Sequence, residues 1–372
     1  MTLEKPAAMR LTAITYAAEQ VHIYEFRPVS GASVPRFTAG AHVDLHLPNG
    51  LVRQYSIANA QDQGDRYVLG VKRETAGRGG SRFMHDELRV GTVLEVGGPR
   101  NNFPLVEAAA HSVLIAGGIG VTPIVSMVAR LRSLARPWEL HYAVRRRSEA
   151  AFLDGLLAGD GHVRLHVDEQ EGGVLDVARI VGAAPKEAHL YCCGPTPMLD
   201  AFTAAASSWP AARVHLEHFS AAQPPAVESG FVVELARSKL RVSIPPGQTI
   251  LEALRARGFE VQSSCEQGIC GSCETRVLAG EPDHRSIQRL TRLLDASGGS
   301  RYLAHLVVSP RSPCAVISRE PGTGNSLERL PADGVRSRSG RPTLILSDPN
   351  GTGKIRSQYR APISPRRPRE GA

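Results

Sequence analysis

Residues 265–273 read Cys265-Glu-Gln-Gly-Ile-Cys270-Gly-Ser-Cys273. Three cysteines spaced x4 and then x2 begin the plant-type iron–sulfur pattern C-x4-C-x2-C…C. A [2Fe–2S] cluster needs thiolates gathered around a compact, sulfide-bridged iron pair, so a loop that supplies three of them must wrap tightly. Gly268 and Gly271 let the backbone N–H groups approach the sulfurs. A structural zinc site is the alternative, but zinc takes paired C-x2-C units with a second pair or histidines further on. A disulfide knot is the other, and six cysteines in 372 residues are too few for a disulfide scaffold. The spacing favours Cys265, Cys270 and Cys273 as cluster ligands.

Working outward, the chain is long enough for two or three domains, and 42% hydrophobic with 22% charged residues is an ordinary globular balance. No apolar run reaches membrane-spanning length, and MTLEKPAAMR has no signal-peptide core. A cytoplasmic protein is expected. The formal charge of +8 lies entirely after residue 300, where 13 Lys and Arg face 5 Asp and Glu. The first 300 residues are neutral, and only the end of the chain is basic. The basic end reads as a disordered extension.

Residues 9–105 alternate with period two in six short stretches, RLTAITYA, VHIYEFRPV, HVDLHLP, RQYSIAN, RYVLGVKR and TVLEVGGP, which predict an antiparallel β-barrel. One helix is predicted from Ser81 to Leu88, with Ser81 as its N-cap after Gly79-Gly80. Its free N–H groups suit a phosphate. Arg53-Gln54-Tyr55-Ser56 brings a forked donor, a flat ring and a hydroxyl. Lys72 joins these as a cofactor-binding candidate.

Residues 111–218 change period. HSVLIAGG, WELHYAV, HVRLHV, AHLYCCG and RVHLEHF alternate with helical segments, which predicts a parallel sheet with right-handed crossovers. Gly117, Gly118 and Gly120 form the turn after the first strand, where dinucleotide pyrophosphates bind. Thr122-Pro123 opens the next helix, with proline placed at its first position. Cys193, Gly194 and Pro195 close the fourth strand, at the end where ligands lie in such sheets.

RQYS, GRGGS, GGIGVTP, CGPTPM and CEQGICGSC together resemble the phthalate dioxygenase reductase family, over about residues 9–285. The resemblance implies three domains: a flavin-binding antiparallel barrel (1–107), an NAD-binding α/β domain (108–222) and a β-grasp ferredoxin domain (223–318). A basic tail (319–372) would follow. It implies FMN in the barrel, its phosphate on Arg53 and Ser81 beside Gly79 and Gly80, and Tyr55 and Ser56 against the isoalloxazine. Cys193, Gly194 and Pro195 would border the nicotinamide. Ser56 and Cys193 are the candidate catalytic residues, with Cys193 shaping the site. Cys192 reads as a buried apolar filler. Glu217 and Phe219 resemble the family's Glu-x-Phe, whose ring packs near the flavin or else in the core. NADH would pass a hydride to the flavin, which would release electrons singly to the cluster. The expected partner is a terminal oxygenase of the Rieske non-haem iron type acting on aromatic compounds, and the protein is expected to be a monomer. Arg145-Arg146-Arg147-Ser148, after the second strand of the α/β domain, could clamp the 2′-phosphate of NADPH. NADH and FMN follow the family.

The third domain reads as a hairpin, FVVELARS with LRVSIPPG, then the amphipathic helix TILEALRARG, the cysteine loop and CETRVLAGEPDHR. There the resemblance stops. The family's fourth cysteine would fall near Leu303, but residues 286–313 contain none, and the next is Cys314. Either Cys314 completes the cluster or the cluster is lost. A shift of reading frame between Arg285 and Cys314 would account for the altered composition. The competing class is a flavin reductase without a cluster, carrying a disordered or nucleic-acid-binding tail.

Overall fold

The computed structural model describes residues 6–158, 162–219, 231–235, 240–259 and 261, and beyond them the backbone of five short strands. Strands β1 (Ala7–Ala18), β2 (Val21–Pro28), β3 (His42–His46), β4 (Val52–Ser56), β5 (Tyr67–Lys72) and β6 (Val93–Val96) form one antiparallel sheet, with helix α1 (Gly80–Asp86) before β6. Its order is β4-β3-β6-β1-β2-β5. An antiparallel bridge between Ile57 and Leu69 brings its two ends together as a barrel. Alternation drives it: Leu94 and Val96 of β6 turn inward while Val93 and Glu95 face out. The inward side chains, among them Met9, Tyr24, Phe26, Leu45 and Leu69, make the barrel core.

The α/β domain runs β7 (Ser112–Gly117), α2 (Val121–Ser133), β8 (Trp138–Val144), α3 (Leu153–Leu157), β9 (Val163–Val167), α4 (Asp168–Glu171), α5 (Val177–Ala183), β10 (His189–Cys193), α6 (Thr196–Ala205) and β11 (Val214–Glu217). All five strands are parallel, in the order β11-β10-β7-β8-β9. Every residue of β7 is buried, as a central strand covered on both faces must be. The order reverses between β7 and β10, so the chain leaves these two neighbours in opposite directions and opens a crevice at their C-terminal ends. Pro123 is the third residue of α2, because a 3-10 turn at Gly118–Gly120 precedes that helix. It still lies in the first turn, where its missing N–H costs no helical bond.

The third unit contains β12 (Phe231–Leu235), β13 (Leu240–Ile244), α7 (Ile250–Arg255), β14 (Glu274–Val277), β15 (Pro282–Asp283), β16 (Ser300–Leu303), β17 (Val307–Val308) and β18 (Thr343–Leu346). β12 and β13 form the expected hairpin, with Phe231 opposite Ile244. Thr249 and Glu252 cap α7 reciprocally, and Gly258, at φ 80°, follows it. The sheet order is β13-β12-β18-β14-β16, with β12 and β18 parallel. Part of this sheet comes from the basic end of the chain, within the stretch expected to form a tail from 319. Thr343–Leu346, a run of strand-favouring residues inside a Ser-, Pro- and Arg-rich stretch, supplies the central strand. Composition averaged over the tail hides four residues that a sheet can use. Among the described residues, no helix is long and apolar enough to cross a membrane.

Candidate active site

On the barrel side, Arg53 and Tyr55 lie on β4, and Ser56 is its buried last residue. Arg53 reaches over the start of α1. Its guanidinium donates to Val52 O and to Arg78 O, both at 2.8 Å. A Cβ on Gly80 would lie 2.5 Å from Arg53 Cγ, so only glycine lets the arginine cross there. α1 starts one residue earlier than predicted. Gly79, at φ 84°, is its N-cap, and Ser81 sits inside the first turn. Ser81 Oγ instead accepts from the Glu74 N–H at 3.0 Å, tying the 74–81 loop closed. Lys72 Nζ lies 3.8 Å from Glu74 Oε1 on the same loop. Burial pushes the Tyr55 hydroxyl well above the ordinary tyrosine range, so the ring stays neutral.

On the nucleotide side, the turn after β7 and the end of β10 are packed against each other. A Cβ on Gly120 would stand 2.2 Å from Cys193 O, closer than any side chain tolerates. Gly117 touches Pro195, and Gly194 approaches Gly117 and Met198. The two motifs, read separately from the sequence, are thus one surface. Thr122 Oγ1 donates to Ile119 O at 3.0 Å and steadies the turn. Cys192 and Cys193 are both buried. Burial pushes the Cys192 thiol up to about 12 and that of Cys193 well above its ordinary value. Cys193 therefore stays a neutral thiol and no nucleophile. Phe219 is 43% exposed and is not a core residue.

The barrel and the α/β domain meet through Gly40 N–H, which donates to Ser126 Oγ at 3.1 Å, and Val106 N–H, which donates to Tyr191 Oη at 2.9 Å. Ala39 and Phe103 of the barrel side are part of the α/β core. At the crevice, His42 pairs in register with Ser56, and Glu217 pairs in register with Cys193. His42 Nδ1 and Glu217 Oε1 are 4.0 Å apart, with side chains only 7% and 11% exposed. Four residues thus cross the domain boundary in a row: Ser56, His42, Glu217 and Cys193. Burial pushes the Glu217 carboxyl up to about 8. Burial, then the Arg100 charge, pulls His42 down to about 4. The pair is therefore neutral around pH 7. Among the described residues, His42 Nε2 and Glu217 Oε2 have no hydrogen-bond partner. Two sealed polar atoms left unpaired mark the seam as a strained polar spot between the flavin-side and nucleotide-side strands.

Comparison with known proteins accords with this geometry. Residues 8–104 match the oxidoreductase FAD-binding domain model, and residues 233–304 match the 2Fe-2S iron-sulfur cluster binding domain model. Phenoxybenzoate dioxygenase subunit beta of Ectopseudomonas oleovorans is 52% identical over 282 residues, covering 76% of this chain and 88% of that protein. Tetrachlorobenzoquinone reductase of Sphingobium chlorophenolicum is 49% identical over 284 residues, covering 74% and 88%. The solved structure of phthalate dioxygenase reductase, described as a modular structure for electron transfer from pyridine nucleotides to [2Fe–2S], superposes with a TM-score of 0.65 at 31% identity, covering 93% of this chain and 98% of that one. The chain belongs to the phthalate dioxygenase reductase family. As a member it is an NAD(P)H-dependent oxidoreductase with a flavin barrel, a nucleotide domain and a [2Fe–2S] domain.

Within this family member, Cys265, Cys270, Cys273 and Cys314 lie outside the described residues, as does the suggested frame shift. The matched cluster-domain segment includes the first three cysteines and ends before Cys314. Sequence reasoning missed His42. It stands alone in AGAHVDL with no motif around it, and only the pairing of β3 with β4 and the docking of β11 reveal it.

Proposed function

We propose that the protein is the NADH-dependent reductase component of a terminal oxygenase of the Rieske non-haem iron type, one that works on aromatic acids or methyl ethers. It would work as a cytoplasmic monomer with FMN in the barrel. Arg53, with Gly79, Gly80 and Ser81, holds the flavin phosphate. Lys72 supports that loop, and Tyr55, Ser56 and Phe219 lie against the ring system. Gly117, Gly118, Gly120 and Thr122 receive the pyrophosphate of NADH. Cys193, Gly194 and Pro195 border its nicotinamide. When bound, the flavin supplies a carrier that takes two electrons together and releases them singly. The chain's own residues would hold the flavin on the barrel side and the nicotinamide on the sheet side of the same seam, and would keep water from it. Cys265, Cys270 and Cys273 hold the cluster, with Cys314 as the candidate fourth ligand.

The observation that carries this reading is the junction itself: Ser56 and Cys193, from different domains, are bridged by His42 and Glu217 across 4.0 Å. The test is iron and flavin quantitation on the purified protein, with visible spectra before and after anaerobic NADH. The expected result is flavin bands plus broad sulfide-to-iron absorption, both bleached by NADH. Flavin bands that NADH leaves untouched would overturn it.

The absence of cysteine from 286 to 313 favours a second reading, a flavin reductase that lacks the cluster. It predicts flavin bands bleached by NADH and no iron in the same experiment.

A further inference from the structure

The loop that follows β8 leaves the sheet beside the Gly117–Gly120 turn, since Gly117 and Ala143 are register partners in parallel strands. In sheets of this kind the end of the second strand meets the adenosine ribose. An acid there accepts from the 2′-hydroxyl of NADH, and an arginine accommodates the 2′-phosphate of NADPH. This chain places Arg145, Arg146 and Arg147 there, all exposed, followed by Ser148. By residue type alone the loop suits NADPH, yet Arg146 and Ser148 are already engaged.

The group that engages them comes from the barrel. Glu19 sits in the turn between β1 and β2. Its Oε1 accepts from Arg146 Nη2 at 2.9 Å and its Oε2 accepts from Ser148 Oγ at 2.9 Å. Its backbone N–H donates to Ser148 O at 2.8 Å. Arg146 Nε also donates to Glu149 Oε1 at 2.9 Å. One arginine therefore spans two carboxylates, and one carboxylate spans an arginine and a serine. The Ser148 hydroxyl, then the Arg146 guanidinium, hold the Glu19 carboxyl below its ordinary range, so it is ionised at neutral pH. A 2′-phosphate would have to displace carboxylates from Arg146 and would meet their negative charge on the way.

We propose that Glu19 is a specificity-determining residue: from the flavin barrel it clasps Arg146 and Ser148 of the nucleotide domain, and so withholds the donors that a 2′-phosphate needs. The clasp makes selectivity for the nucleotide a property of the docked pair of domains. It rests on the reading of residues 108–222 as the nucleotide site. The ion pairs are solvent-exposed, so each is individually weak. Acting together they set a preference of about three- to tenfold.

The test uses the full chain with its flavin and two probes, 5′-AMP and 2′,5′-ADP, in equilibrium binding. Values of kcat/KM for NADH and NADPH are measured alongside with a one-electron acceptor. Glu19→Gln is expected to tighten 2′,5′-ADP about three- to tenfold and to raise kcat/KM for NADPH in step. 5′-AMP and NADH should change less than about twofold. Adding Arg146→Ala to Glu19→Gln should cancel the gain. If Glu19→Gln weakens both probes equally, Glu19 is only a domain clamp and the proposal fails. It fails too if the gain survives loss of Arg146. Should neither probe bind any variant, the nucleotide-site reading falls and takes the clasp with it.

Discussion

The junction of barrel and α/β domain contrasts with the iron–sulfur unit. The junction is interlocked: the barrel lends Ala39 and Phe103 to a 19-residue core, and backbone and side-chain bonds cross it at Gly40, Val106 and Glu19. In the third unit the described core is eight side chains on one hairpin and one helix. That described core takes no side chain from the barrel or the α/β domain. The contrast teaches that the hydride-handling half is two domains locked into one body, whereas the cysteine-bearing unit is a module with a described core of its own.

The strongest way to break that contrast is Cys270→Ser. The cluster absorption should disappear and one-electron delivery to a protein acceptor should fall more than about 100-fold. Flavin reduction by NADH, followed by stopped flow, should change less than about twofold. If both fall together, the two halves are not independent. Next in size is Gly120→Ala, which drives a methyl into Cys193 O. It should cost about 1–3 kcal/mol and lower Tm by about 4–10 °C, with KM for NADH raised. An unchanged Tm would mean that the two motifs are not packed together.

Glu217→Gln probes the junction by pH. In the folded chain the Glu217 carboxyl titrates at about 8 against an ordinary 4.5. Its burial therefore costs stability progressively as pH rises from 4.5 through 8. His42 acts in the opposite sense: it titrates at about 4 against 6.5, and costs stability as pH falls from 6.5 through 4. Glu217→Gln should match the wild type near pH 4 and exceed its Tm by about 5 °C at pH 9. A wild-type advantage at pH 9 would show that Glu217 is ionised and paired. The smallest effect is expected from Ser81→Ala. It leaves the Glu74 N–H without its acceptor and should weaken flavin binding about fivefold, read by fluorescence titration.

Much of the architecture was legible without coordinates. Period-two alternation announced the barrel strands, and the change of period from residue 111 announced the parallel sheet. Each strand carries its own pattern of apolar residues, so the signal is local. Thr343–Leu346 escaped because four residues are too few to stand out against a charged, proline-rich background. The start of α1 was misplaced by one residue, since Ser81 is a good capping residue by type but Gly79 alone has the left-handed backbone that the turn requires.

The candidate site divides in the same manner. Arg53, the glycine turn and the Cys193-Gly194-Pro195 strand end are runs of neighbours along the chain, and their residue types disclose their chemistry. His42 and Glu19 are single residues whose partners lie more than 100 positions away, at Glu217 and Arg146. From sequence alone came the strands, the helices, the loops that meet phosphates and the cysteine spacing, because short-range sterics and hydrogen bonding impose them. Which domain faces which, which acid keeps its proton and which arginine is occupied were decided only when the barrel closed against the sheet. Burial and charge pairing depend on distances that the chain sets by folding.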